Sequence, residues 1–205
     1  MSNTVDTEVR RPGRPPQFDR DHALTSLCLL LWSKGYDGAT QEEMLAATGL
    51  SASSLYRTFG TKADILEAAL ARYLAWADEM FAPLEHGHHG VSDVRAFFDY
   101  FQAQLDSPLG NAGCLVWNTM QNTIGADPRI KTLTERHMQR LREGLAAALQ
   151  RAADAKELPA TAPKRLADAL RAGVLGVQAR ARAGDTADAR ALLDGIKALL
   201  DHDEP

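Results

Sequence analysis

Cysteine is scarce in this chain of 205 residues, which has two, Cys28 and Cys114. They stand far apart, with no partner cysteines at metal-site spacing. That excludes a disulfide framework and a cysteine-based zinc module, and it predicts two reduced thiols. An excess of basic charge is also missing. The formal net charge is −4, so any surface meant for a polyanion must be a local patch. Long apolar runs are absent as well: the longest, residues 27–32, is too short to span a bilayer. Residues 1–11 are polar and charged, without the apolar stretch of a secretory signal, and the expected address is the cytoplasm. No sustained period-two alternation occurs, which argues against a half-buried sheet. The chain also lacks a Gly-rich phosphate loop, a nucleophile elbow and paired metal ligands, so no catalytic constellation supports an enzyme.

What is present is the composition of a globular protein, 45% hydrophobic and 24% charged. Near the start, Arg10, Arg11 and Arg14 are interleaved with Pro12, Gly13, Pro15 and Pro16. Prolines rule out a regular helix there. Residues 1–17 read either as an extended basic arm able to enter a minor groove or as a solvated tail.

Helix signals then follow closely. Asp19 is a good N-cap for a helix with apolar positions Leu24, Leu27, Cys28 and Leu31, ended by Gly35. The run Thr40-Gln41-Glu42-Glu43 is a capping box, and Gly49 stops the short helix it opens. Ser51 caps a third helix to about Phe59, separated from the second by Gly49 and Leu50 alone. Two short helices joined by so tight a glycine turn suit a helix-turn-helix that places its second helix in the major groove. Leu24, Leu31, Leu55 and Phe59 are the expected core of this unit.

Thr61 opens a fourth helix, and a break is expected at 83–90, where His86, His88 and His89 stand among Gly87 and Gly90. Those histidines read better as a solvated loop than as a metal site, since no cysteine or repeated carboxylate spacing completes them. His22, His137 and His202 show no partner pattern. Further helices are expected at 92–105, 114–124, 128–151, 163–182 and 185–200. The fold class is therefore all-α, about nine helices: an arm at 1–17, a three-helix head at 18–62, a connecting helix at 63–82 and a larger body at 83–205.

Leu30, Gly35-Tyr36, Thr40, Met44-Leu45-Ala46, Thr48-Gly49-Leu50-Ser51, Leu55-Tyr56, Phe59, Lys62 and Leu66 together resemble the tetracycline-repressor (TetR) family, over residues 18 to about 70. The resemblance implies a homodimer with a DNA-binding head and a ligand-binding, dimerising body. It implies a recognition helix over 51–59 and phosphate contacts from Thr40, Tyr56 and Lys62. Hydroxyl, amide and ammonium donors at helix starts suit phosphate oxygens on physical grounds too. Base reading falls to Ser53, Ser54 and Arg57, with Ser51 and Arg14 completing the expected DNA-binding set. Arg57 suits a guanine edge or a phosphate equally. At Ala52-Ser53, where lysine and glycine are common in the family, this chain departs from the pattern in the recognition helix itself.

In the body, the small residues Ala169, Gly173 and Gly176 with Leu192, Ile196 and Leu199 form the expected dimerisation face. The alternative is that they pack within one chain. Rings and thioethers concentrate from the fourth helix onward, and Phe97, Tyr100, Phe101, Cys114, Trp117, Met120 and Met138 are the expected walls of a pocket for a small, apolar or electrophilic effector. Cys114 follows Gly113 at an expected helix start, where the dipole would lower its pKa and make it a sensor thiol. The Gly-Cys-Leu segment also resembles one in an electrophile-responsive branch of the family. The plainer reading is a small buried hydrophobe. No cofactor is expected. Three functions are weighed: a repressor released from a near-palindromic operator by its effector, a DNA binder whose body takes no small molecule, and a small helical enzyme.

Overall fold

The structure, a computed structural model, describes residues 19–107, 109–160 and 163–201. The arm with Arg10, Arg11 and Arg14, and His202, lie outside them. Among the described residues the secondary structure is helical throughout: α1 (Arg20–Gly38), α2 (Gln41–Thr48), α3 (Ala52–Phe59), α4 (Lys62–His86), α5 (Val91–Leu105), α6 (Leu115–Met120), a 3-10 turn (Thr123–Ala126), α7 (Pro128–Asp154), α8 (Pro163–Arg182) and α9 (Thr186–Ala198).

The head forms as its local signals require. Asp19 accepts from the amides of Asp21 and His22, and Thr40 and Glu43 make the reciprocal bonds of a capping box. Thr61 and Asp64 make a second one at the start of α4. Gly49 ends α2 in the left-handed region at φ 67°, where glycine is unstrained. Gly35 breaks α1 as expected, at φ 76° and ψ 171°, although one further helical turn carries the element to Gly38. The carbonyls freed just before that break are taken up from far along the chain: Arg182, at the end of α8, donates to Ser33 O at 2.7 Å and Trp32 O at 3.4 Å.

Two expected boundaries differ. Helix α4 does not stop before residue 83 but runs through Pro83 to His86. Pro83 withholds one amide near the helix end, and the Arg151 guanidinium satisfies the last carbonyls, donating to Leu84 O at 2.8 Å and Pro83 O at 3.4 Å. The helix expected at 114–124 is split. Helix α6 ends at Met120, and the Asn122 side chain accepts from the Ile124 amide to start the 3-10 turn. Gly125 lets that turn fold back, since a Cβ there would lie 2.7 Å from Thr119 O.

Apolar side chains gather in two clusters. One joins α4, α5, α7, α8 and α9, with Phe81, Phe97, Phe98, Leu145 and Leu170 fully buried. The other holds Leu24, Leu31, Leu55 and Phe59, as the sequence predicts, but extends beyond the head to Cys114, Leu115, Val116 and Ile130. Helix α6 thus belongs by packing to the head.

Candidate nucleic-acid interface and interior cavity

The face of α3 away from its buried Leu55 and Phe59 is polar. Ser51, the N-cap, accepts from the Ser54 amide at 3.3 Å, and its hydroxyl also meets the hydroxyls of Ser53 and Ser54. Arg57 is exposed and donates to Ser54 Oγ at 3.4 Å. Tyr56 donates its phenol proton to Gln41 Oε1 at 2.7 Å, which ties the recognition-type helix to the first turn of α2. Gln41 is a positioning group that the sequence does not single out, since an exposed glutamine at a helix start carries no signal of its own. Thr40 is exposed, with its hydroxyl engaged by Glu43.

Charge on this surface is sorted by pairing. Lys34 is bridged to Glu43 at 3.2 Å, and Arg72 is paired with Asp21. Arg57 and Lys62 have no ion-pair partner among the described residues, and Lys62 lies over the Tyr36 ring, Nζ 4.7 Å from its centroid. Arg20, over the Phe59 ring at 5.2 Å, likewise has no ion pair among the described residues, so cations without such partners occur on α1, α3 and the start of α4, candidates for the local patch that an acidic chain needs to meet a polyanion.

The second feature is a cavity of about 280 Å³ between α1, α4, α5, α7, α8 and the stretch before α6. Of the expected pocket residues, Tyr100, Phe101, Cys114, Trp117 and Met138 line it. Phe97 does not: it is fully buried in the body core against Phe81, Phe98 and Phe101. Met120 does not either, lining a separate surface depression with Arg136 and Arg142. The sequence reading missed Trp32, Tyr73 and His137, three cavity residues from α1, α4 and α7. Single rings on the inner faces of separate helices look like ordinary core until the helices are assembled.

Cys114 is the N-cap of α6, accepting from the Trp117 amide at 3.5 Å and from the Tyr73 hydroxyl at 3.4 Å. Its thiol pKa is nonetheless raised, because burial outweighs both hydrogen bonds. The surroundings thus favour the second of the two readings, the buried hydrophobe: α6 has six residues and the sulfur is almost wholly out of water. Cys28 is more inert still, pushed up to about 12 by burial while its Sγ donates to Ala69 O. His137 is 6% exposed, its Nδ1 has no hydrogen-bond partner, and burial together with the nearby Arg140 pushes its pKa down to about 4. Phe81 meets it edge-on at 5.2 Å.

The expected dimerisation residues divide. Leu192 and Leu199 are 39% and 50% exposed, and Ala169 also faces outward. Ile196 is buried against Gly173, where an added Cβ would lie 2.5 Å from the isoleucine Cδ1. That pair serves packing of α8 on α9 within the chain. Among the described residues no group of three or more His, Cys, Asp or Glu side chains is gathered as metal ligands, and no helix is long and apolar enough to cross a membrane.

Residues 28–69 match the family model for bacterial regulatory proteins of the tetR family, and residues 90–195 match that for the tetracyclin repressor-like C-terminal domain. The chain is 32% identical over 181 residues to the HTH-type transcriptional repressor ComR of Escherichia coli strain K12, covering 84% of this chain and 83% of that one. A TetR transcriptional regulator from Chloroflexus aurantiacus superposes with a TM-score of 0.73 at 27% identity, covering 88% of this chain and 91% of its own. The regulator CifR, solved as a cysteine mutant with 26-bp double-strand operator DNA, superposes with a TM-score of 0.75 at 25% identity over 91% of this chain and 98% of its own.

Proposed function

The chain belongs to the TetR family of bacterial transcriptional regulators, and from that premise we propose that it is a cytoplasmic repressor released from its operator by a small molecule held in the interior cavity. The observation that carries this reading is the double position of Trp32. It is a residue of α1, in the DNA-binding head, and it also forms part of the cavity wall. Its indole N–H donates to Gly113 O at 2.8 Å, on the loop before α6, and its own carbonyl is held by Arg182. A molecule entering the cavity shares a wall with this clamp, so its binding energy can differ between two placements of the head. Such a difference is what population shift requires.

On the DNA side, Thr40, Tyr56 and Lys62 supply phosphate contacts, and Ser51, Ser53, Ser54 and Arg57 present the face of α3 to the major groove. Two chains pair through the outward residues of α8 and α9, Ala169, Leu192 and Leu199 among them, which presents two recognition helices about one DNA turn apart to a near-palindromic site. Neither thiol serves as a reactive thiolate in this reading, since burial raises both, and Cys114 contributes to the cavity wall.

The test is titration of the full-length protein against labelled duplexes from the region flanking its own gene at several salt concentrations. Wild type is expected to bind one duplex saturably as two chains. Lys62→Ala should weaken all sequences alike and lower the salt slope by about one unit, whereas Arg57→Ala should cost about 1–3 kcal/mol on the preferred sequence and flatten the preference. Equal losses on every sequence for both variants would move Arg57 to the phosphate backbone, and absence of saturable binding would sink the reading.

A further inference from the structure

We propose that the cavity takes a neutral, flat aromatic molecule carrying a hydroxyl group that pairs with the imidazole of His137. The proposal rests on the reading of the cavity as an effector site and names the chemistry it selects. Six aromatic side chains line the walls, Trp32, Tyr73, Trp76, Tyr100, Phe101 and Trp117, supplied from the four helices α1, α4, α5 and α6. Flat faces of this kind favour offset-stacked or edge-on contact with another ring. At about 280 Å³ the space is at the small end of ligand pockets, which suits one or two fused rings.

Among the described residues lining the cavity none carries a charge at neutral pH. An entering carboxylate would lose its hydration and meet no cation, and burial of an unpaired charge is strongly unfavourable. A cation fares no better, since it would meet no carboxylate among the lining residues, and burial already denies His137 its proton. Two polar hydrogens of the wall are already committed, the Trp32 indole to Gly113 O and the Tyr73 hydroxyl to Cys114 Sγ. The His137 ring is different: it is buried, it lines the cavity, and its Nδ1 is left without a partner. A buried polar group without a partner is costly, and a neutral imidazole both donates and accepts, so a ligand hydroxyl can satisfy it in either direction.

Calorimetric titration of the full-length protein at pH 7 with three probes of one shape, 2-naphthol, 2-methylnaphthalene and 2-naphthoate, tests this. Wild type is expected to bind 2-naphthol and to bind 2-naphthoate about a hundredfold more weakly. His137→Phe, which keeps a ring against Phe81, should weaken 2-naphthol about tenfold and leave 2-methylnaphthalene unchanged. The proposal is overturned if 2-naphthoate binds as tightly as 2-naphthol, if 2-naphthol does not bind, or if the substitution weakens both neutral probes equally. Should His137→Phe fail to fold, the wild-type ranking of naphthol against naphthoate decides alone. Operator release is followed in parallel on wild type. Naphthol bound without release would defeat the effector reading while leaving the ligand class standing, and release by other compounds with no naphthol binding would do the reverse.

Discussion

The DNA-facing surface and the cavity are built in opposite ways. The first is made by α2 and α3, two eight-residue helices whose caps, glycine stop and polar face are all set within 20 residues of sequence. The second draws on α1, α4, α5, α6, α7 and α8, so its walls come from residues as far apart in the chain as Leu29 and Gln178. The hydroxyls of the surface are satisfied within the helix pair, Ser51 with Ser54 and Tyr56 with Gln41, while the cavity holds a buried imidazole nitrogen without a partner among the described residues. A reading surface must be stable before its partner arrives. A ligand site retains unmet hydrogen-bonding capacity that the ligand then supplies.

The largest effect expected from breaking this contrast lies in the cores. Leu55 in α3 and Leu115 in α6 are both buried in the head cluster, and Leu145 in α7 is buried in the body cluster. Each substituted by Ala should lose about 2–5 kcal/mol of stability in denaturant unfolding. Leu55→Ala and Leu115→Ala should also lose operator affinity under conditions where the chain is still folded, and Leu145→Ala should not. If Leu115→Ala kept full affinity, α6 would pack with the head without supporting it.

How much could be read in advance follows the same division. Asp19, the Thr40 capping box, Gly49 and Ser51 act on the backbone within a turn of themselves, so the head and its helix boundaries were legible from residue order. The ends of α4 and α6 were not, because they depend on partners elsewhere: Arg151 closes α4 from 68 positions away, and the backbone path at Gly125 ends the stretch expected as one helix. Five of the seven residues expected around a pocket, read from a local density of rings, line the cavity, whereas Trp32 and His137, on which the proposals above turn, were invisible. Neither has a distinctive neighbour in sequence. At Cys114 residue order left two readings, because a helix start is a local feature and burial is not; the burial seen favours the plainer one, a small buried hydrophobe.

His137 gives an intermediate effect with a definite sign. Its imidazole titrates near 4 in the folded chain and near the ordinary 6.5 when unfolded. Between those values the unfolded state binds a proton that the native state refuses, so stability falls as pH drops from about 6.5 to about 4, and this group takes away nothing more below that. The loss is on the order of 3 kcal/mol. Denaturant midpoints measured at pH 7.5 and 4.5 should therefore differ more for wild type than for His137→Phe. Carboxylates such as Asp64, held near 2 chiefly by its hydrogen bond from Arg129, contribute equally to both proteins and act at lower pH. Identical pH slopes for the two proteins would mean that the imidazole is protonated in the native state and that the cavity tolerates charge.

The smallest effect is the one that separates stability from recognition. Thr40 and Thr61 are both N-caps with reciprocal bonds to an acidic side chain three residues on, Glu43 and Asp64. Alanine at either site removes a hydroxyl that serves a helix start, and each change should cost about 1 kcal/mol in unfolding. If Thr40 also serves a phosphate, the two variants will part company on DNA: Thr40→Ala should bind operator several-fold more weakly than Thr61→Ala at matched fraction folded. Since the two caps are alike in chemistry, whatever difference remains belongs to the nucleic acid. Equal affinities would reduce Thr40 to a cap and shift the phosphate contacts to Tyr56, Lys62 and the amides at the start of α2.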